Sequence, residues 1–110
     1  MTKEEAIQIL DLVIELLTPE EKWTKEGAFD EECLITSNQF TLSCALKLMQ
    51  LSVIGKYESR NLVMRQVRRT IVWNFFWRQG FHPLHSFNKH KKTNYSELMW
   101  VLNKAKSGLS

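Results

Sequence analysis

The sequence predicts a mainly helical protein: a compact bundle of about four helices with an irregular insertion after the first. Three observations carry this. Apolar residues recur at three and four residue intervals in four stretches, helix-start signals precede them, and Gly55, Gly80, Pro19 and Pro83 punctuate the boundaries. With 110 residues, 44% hydrophobic and 25% charged, the chain is long enough for one core and too short for two, so residues 1–110 read as a single helical domain.

Thr2 and Glu5 have capping-box spacing, and Ile7, Leu10, Val13, Ile14 and Leu17 then form one apolar stripe with Glu4, Asp11 and Glu15 left to solvent. Thr18-Pro19-Glu20-Glu21 repeats the start signal and predicts one short helical turn. Residues 23–38 show no period. Gly27, Asp30-Glu31-Glu32 and Thr36-Ser37-Asn38 read as irregular connection with a short extended piece at most.

A second helix is expected from Ser37 or Asn38 to Ile54, with Leu42, Leu46, Met49 and Val53 on its main stripe, Leu48 and Leu51 widening it, and Gly55 ending it. Such a broad apolar surface belongs at the centre of a fold. A third helix, capped by Ser59 and reaching Gln79, carries Met64, Val67, Ile71 and Phe75 inward. Arg65, Arg68 and Arg69 fall on its opposite face, which Val72 and Phe76 extend, while Trp73 and Trp77 form a stripe at the side. That C-terminal half is apolar nearly all round, so it is either enclosed by other helices or presents an aromatic surface to a partner. Residues 80–93 read as a loop. Asn94 with Glu97 then starts a last helix, with Leu98, Trp100, Val101 and Leu102 inside and its end near Lys106.

Residues 1–35 hold ten acidic and three basic side chains, against two and twelve in residues 36–110, so a net charge of +3 conceals −7 and +10. The basic part suits an acidic protein or nucleic acid if it forms its own face, and is neutralised if it interleaves with the acidic part. The start of the chain lacks the basic and apolar pattern of a secretory signal, and no run approaches the length of a membrane span. Cys33 and Cys44 read as two reduced thiols, which points to the cytoplasm.

No catalytic constellation emerges. His82, His85 and His90 with the two cysteines suggest zinc, but no Cys-x-x-Cys knuckle exists and Cys44 lies in a helical stripe. His85, Asn88 and His90 lack the strand-helix scaffold of a His-Asn-His nuclease, and no acid lies between Glu58 and Glu97 to hold a cation. Neither cysteine has a recognisable base, and four scattered glycines form no phosphate loop. The expectation is a non-enzyme without metal or cofactor.

The motif order resembles a small bacterial and phage domain family of unknown function, whose members carry Trp-Thr-x-Gly-Ala, Cys-x-x-Gly-Ala-Leu and Trp-Asn-Asp. Trp23-Thr24-Lys25-Glu26-Gly27-Ala28-Phe29 resembles the first with one residue inserted. Thr41-Leu42-Ser43-Cys44-Ala45-Leu46 resembles the second, with Thr41 and Cys44 in place of the family's cysteine and glycine. Ser86-Phe87-Asn88-Lys89 before Asn94-Tyr95-Ser96-Glu97-Leu98 resembles the third, with Lys89 where an acid is expected. The resemblance implies a compact helical domain and no activity, and the replaced cysteine and acid argue against an inherited catalytic site.

Arginine forks onto carboxylate or phosphate and aromatic rings stack beside it. Arg65, Arg68, Arg69, Val72, Phe76, Arg78, Lys89, Lys91 and Lys92 are therefore the expected partner-binding set. The plain alternative is that the arginines close the fold by pairing with the acidic first helix. The expected function is that of a non-enzymatic interaction protein, of phage-accessory or host-defence-inhibitor type, that occupies another protein. The alternative is a nucleic-acid-binding module using the arginine face and the Lys89, Lys91, Lys92 loop. No membrane partner is expected, and the oligomeric state is left open.

Overall fold

A computed structural model describes residues 1–26, 33–78 and 82–110. Among them are five α-helices: α1 (Lys3–Leu17), α2 (Leu42–Ile54), α3 (Leu62–Asn74), α4 (Pro83–Lys89) and α5 (Tyr95–Leu109), with 3-10 turns at Glu20–Lys22 and Phe76–Arg78. The chain is mainly helical as expected, with one helix more than the sequence suggested.

The capping box of α1 forms: the Glu5 amide donates to Thr2 Oγ1 at 3.1 Å, and the Thr2 amide to Glu5 Oε1 at 2.8 Å. Its buried side is Ala6, Ile9, Leu10, Val13 and Leu17, leaving Ile7 and Ile14 half-buried at the edge. Thr18 does not start the following turn. Its hydroxyl donates back to Ile14 O at 2.6 Å and closes α1, and the turn begins after Pro19 instead.

α1 lies between α2 and α5 and also touches α3, α5 packs along α3, and α4 bridges α2 and α3. One hydrophobic cluster draws on all five helices. α2 starts at Leu42 rather than near Ser37, because Thr41 caps it through the Cys44 amide at 3.2 Å. It ends where expected, at Gly55, whose φ of 74° is open to glycine at no steric cost.

α3 is shorter than predicted at both ends. Asn61, not Ser59, caps it: Oδ1 accepts from the Met64 amide at 3.2 Å, and Nδ2 donates to Oε1 of Gln50, a glutamine buried in α2. The helix stops at Asn74, where the backbone turns and Phe75 packs on Phe87 and Trp100, with ring centroids 5.1 and 5.9 Å away. Gln79 and Gly80, the predicted end, lie outside the described residues, as do Gly27 and the acidic run Asp30-Glu31-Glu32.

The expected loop of residues 80–93 contains α4. Pro83 opens it, and Leu84, Phe87 and Asn88, at helical spacing, are its buried side. The last helix begins as predicted, with Asn94 and Glu97 in a capping box, and runs past Lys106 to Leu109.

Cys33 and Cys44 are joined in a disulfide, with Cα atoms 5.4 Å apart, which overturns the expectation of reduced thiols. Phe40 forms a parallel bridge with Trp23, its amide donating to Lys22 O at 2.7 Å while the Thr24 amide donates to Phe40 O at 3.0 Å. The segment before α2 is thereby fixed close to the first turn of that helix, where Cys44 sits. Cysteine usage thus no longer argues for a reducing compartment. No described helix is long and apolar enough to cross a membrane.

Candidate functional site

Arg65 and Arg69 are exposed on α3, four residues apart. The residue that continues their stripe is Trp73, and the Arg69 guanidinium lies 5.9 Å from its ring centroid. Val72 is half-buried, and Phe76 falls beyond the helix in the 3-10 turn, so the arginine face runs into tryptophan by a different route from the predicted one.

The alternative of enclosed or presented aromatics is decided by exposure. Trp73 is 75% exposed, Phe76 62%, Trp77 58% and Trp100 44%. Phe76 packs edge-on against Trp77 at 5.2 Å, and half-buried Phe75 carries Trp77 at 6.1 Å and Trp100 at 5.9 Å. Phe75 therefore anchors a surface of outward rings, with Trp73 on the helical turn just before it. Trp100, expected in the core, belongs to this surface because α5 turns Leu98, Val101, Leu102 and Ala105 inward instead.

Arg78 departs most from the predicted set. It is only 7% exposed; Nη1 donates to Glu97 Oε1 at 2.7 Å and to Thr93 Oγ1 at 3.2 Å, and the guanidinium lies 5.0 Å from the Phe75 ring and 5.9 Å from that of Trp77. Arg78 thus holds the aromatic platform from beneath rather than meeting a partner. Its hydrogen bond keeps the Glu97 carboxyl below the usual carboxylate range, partly opposed by burial and helped by the Asn94 amide.

Protein-family models, characterised proteins and solved structures all give no match to this chain.

The rest of the basic set divides. Arg68 turns towards the connection before α3, where Nη1 donates to Ser59 O at 2.6 Å. Lys89, Lys91 and Lys92 are exposed at the other end of α4, where Lys25 donates to His90 O at 2.8 Å. There His90 is held below its ordinary pKa by burial first, then by Arg78, Lys92, Lys91 and Lys25. The ion pairs among the described residues are Lys56–Glu58, Arg78–Glu97 and Lys106–Asp11. Within them α1 is paired by α5, not by the arginines of α3.

Asn88, which the sequence offered as a nuclease residue and as part of the third motif, is a buried structural junction. Its Oδ1 accepts from Trp23 Nε1 at 2.6 Å and from the Leu42 amide at 3.0 Å, and its Nδ2 donates to Thr24 O at 3.1 Å. Residues from all three motif segments meet here. Asn88 thus ties the three segments together by hydrogen bonds. Among the described residues no group of three or more His, Cys, Asp or Glu side chains is placed to hold a metal ion.

Proposed function

We propose that this protein is a non-enzymatic interaction protein that docks another protein on the surface of Trp73, Phe76, Trp77 and Trp100, with Arg65 and Arg69 at its rim. One observation carries the reading: Trp73, Phe76 and Trp77 stand more than half in water on one region of the chain, with Trp100 44% exposed beside them. Tryptophan and arginine are the residues whose truncation costs most at protein interfaces. Arg78 and Phe75 hold the rings in place beforehand, which lowers the ordering cost of association. A phage-accessory or host-defence-inhibitor type is part of the same proposal, and its phage part rests on the motif resemblance and the compact single-domain build.

Affinity capture from the native cell followed by mass spectrometry, run in parallel on the wild type and on a Trp73→Ser, Trp77→Ser variant, tests it. A partner retained by the wild type and lost by a folded variant supports the reading. Equal capture by both would place the interface elsewhere.

A nucleic-acid module is the second reading, favoured by the positive cluster of Lys25, Lys91 and Lys92 around His90. Titration with duplex DNA, single-stranded DNA and RNA at two salt concentrations separates the two, since phosphate-backbone binding falls steeply with salt.

A further inference from the structure

A second surface feature lies apart from the aromatic one. Between α2, the connection preceding α3, and the first turn of α4 is a groove of about 460 Å³, within the size range of small-ligand sites. Arg60 and Arg68 line it together with Tyr57, Ser59, His82 and His85. Among the described residues, no aspartate or glutamate lines it. Glu58, the nearest acid in sequence, is paired with Lys56 at 2.9 Å.

The arginines differ in how firmly they are set. Arg68 is half-buried and fixed by its 2.6 Å bond to Ser59 O, which occupies one edge of the guanidinium and leaves other donors for a ligand. Its pKa is lowered, first by burial, with Tyr57 opposing and Arg60 and Arg65 adding to the shift. Arg60 is exposed at the mouth. The floor is of another kind: Met64 and Leu84 are buried apolar side chains, and the Tyr57 ring, with Lys47 Nζ 5.6 Å from its centroid, makes a flat wall.

We infer that this groove binds a small phosphate monoester with a flat apolar body, the phosphate held by Arg60 and Arg68 and the body lying against Tyr57 and Leu84. Two guanidinium groups and the hydroxyls of Ser43, Ser59 and Tyr57 line one groove, a donor set that suits the three terminal oxygens of a phosphate better than the two of a carboxylate. The apolar floor has no role in holding a bare inorganic anion, so the phosphate is expected to carry an organic group. This ligand is independent of the protein partner proposed above, because the groove and the exposed tryptophans share no residue.

The test is an NMR titration of the full chain at low ionic strength with phenyl phosphate, using inorganic phosphate, phenol and a short oligothymidylate as comparison ligands. Phenyl phosphate is expected to give saturable shifts at Tyr57, Arg60, Arg68 and Leu84, with inorganic phosphate weaker at the same residues and phenol inert. Arg68→Gln and Arg60→Gln should each weaken phenyl phosphate about tenfold, the scale of losing one charge-assisted hydrogen bond. Should Arg68→Gln fail to fold, exposed Arg60→Gln carries the comparison. Affinity indifferent to Arg60, phenol binding as well as its phosphate, or shifts spread equally over Lys91 and Lys92 would each overturn the inference. Tighter binding of oligothymidylate at the same residues would overturn it in favour of a nucleic-acid backbone.

Discussion

Trp23 and Trp77 both pack against other aromatic rings, in regions of opposite design. Around Trp23 the indole donates to Asn88, the ring packs 6.3 Å from Tyr95, and the Tyr95 hydroxyl donates to Thr18 O at 2.5 Å, so ring and polar groups are both used inside the fold. Around Trp77 the rings of Phe76, Trp77 and Trp100 are supported from below by Phe75 and Arg78 and face water above. The difference teaches that aromatic residues alone do not mark a site. What distinguishes the second region is support without cover: the rings pack on Phe75 and on one another while much of their surface stays open to water.

The sharpest way to break this comparison is at Asn88. Asn88→Ala removes the partner of Trp23 Nε1, of the buried Leu42 amide and of Thr24 O. Leaving such groups unpaired costs about 1–3 kcal/mol each, so a loss of about 3 kcal/mol or more is expected in denaturant unfolding. A loss under about 1 kcal/mol would mean the junction is not structural.

Next in size is the disulfide, which closes a short loop between residues 33 and 44. Chain entropy puts its contribution at about 3 kcal/mol, so reduction, or Cys33→Ser, should lower the midpoint of urea unfolding correspondingly. The Trp77 surface lies outside that loop, and its partner binding should survive reduction. Loss of binding on reduction would show that the two regions are coupled.

The support beneath the rings is tested by Arg78→Met, which should cost about 2 kcal/mol near neutral pH through loss of the charged hydrogen bond to Glu97. The Glu97 pKa is lowered in the fold, so its contribution is present above the ordinary carboxylate pKa and is lost as pH falls through the lowered value. Wild type and Arg78→Met should therefore converge in stability towards strongly acidic pH. A gap that persists there would assign the effect to packing on Phe75 rather than to the ion pair.

The smallest change in stability and the largest in function are expected at the surface. Trp73→Ser and Arg65→Glu, Arg69→Glu should each shift stability by no more than about 0.5 kcal/mol while abolishing partner capture. Unfolding by the charge reversal would make the arginines structural after all. Trp100→Ala, at 44% exposure, should cost well below the 3–5 kcal/mol of a buried tryptophan, read from its thermal midpoint.

Local signals in the sequence determined the parts of this protein that depend on neighbours in the chain. The capping boxes at Thr2 and Asn94, the terminator at Gly55, the Met64, Val67 and Ile71 stripe of α3 and the Leu10, Val13 and Leu17 part of the α1 stripe all arise from bonds or faces within about one helical turn, though the α1 face is turned towards Ala6 and Ile9 rather than Ile7 and Ile14. Even the missed α4 was legible, since Pro83 at a helix start with Leu84 and Phe87 three apart is the same kind of signal. Tertiary structure alone decided the rest. That Asn61 rather than Ser59 caps α3 depends on Gln50, eleven residues earlier; Cys33 meets Cys44 across a sequence separation of 11; that Arg78 is inside depends on Thr93 and Glu97. Each turns on a partner beyond one helical turn, which periodicity does not register. For the same reason the sequence extended one helix through all the arginines and the aromatics from Trp73 to Trp77, whereas in the structure only Trp73 shares α3 with Arg65, Arg68 and Arg69, and Phe75 leaves the helix to pack on Phe87 and Trp100.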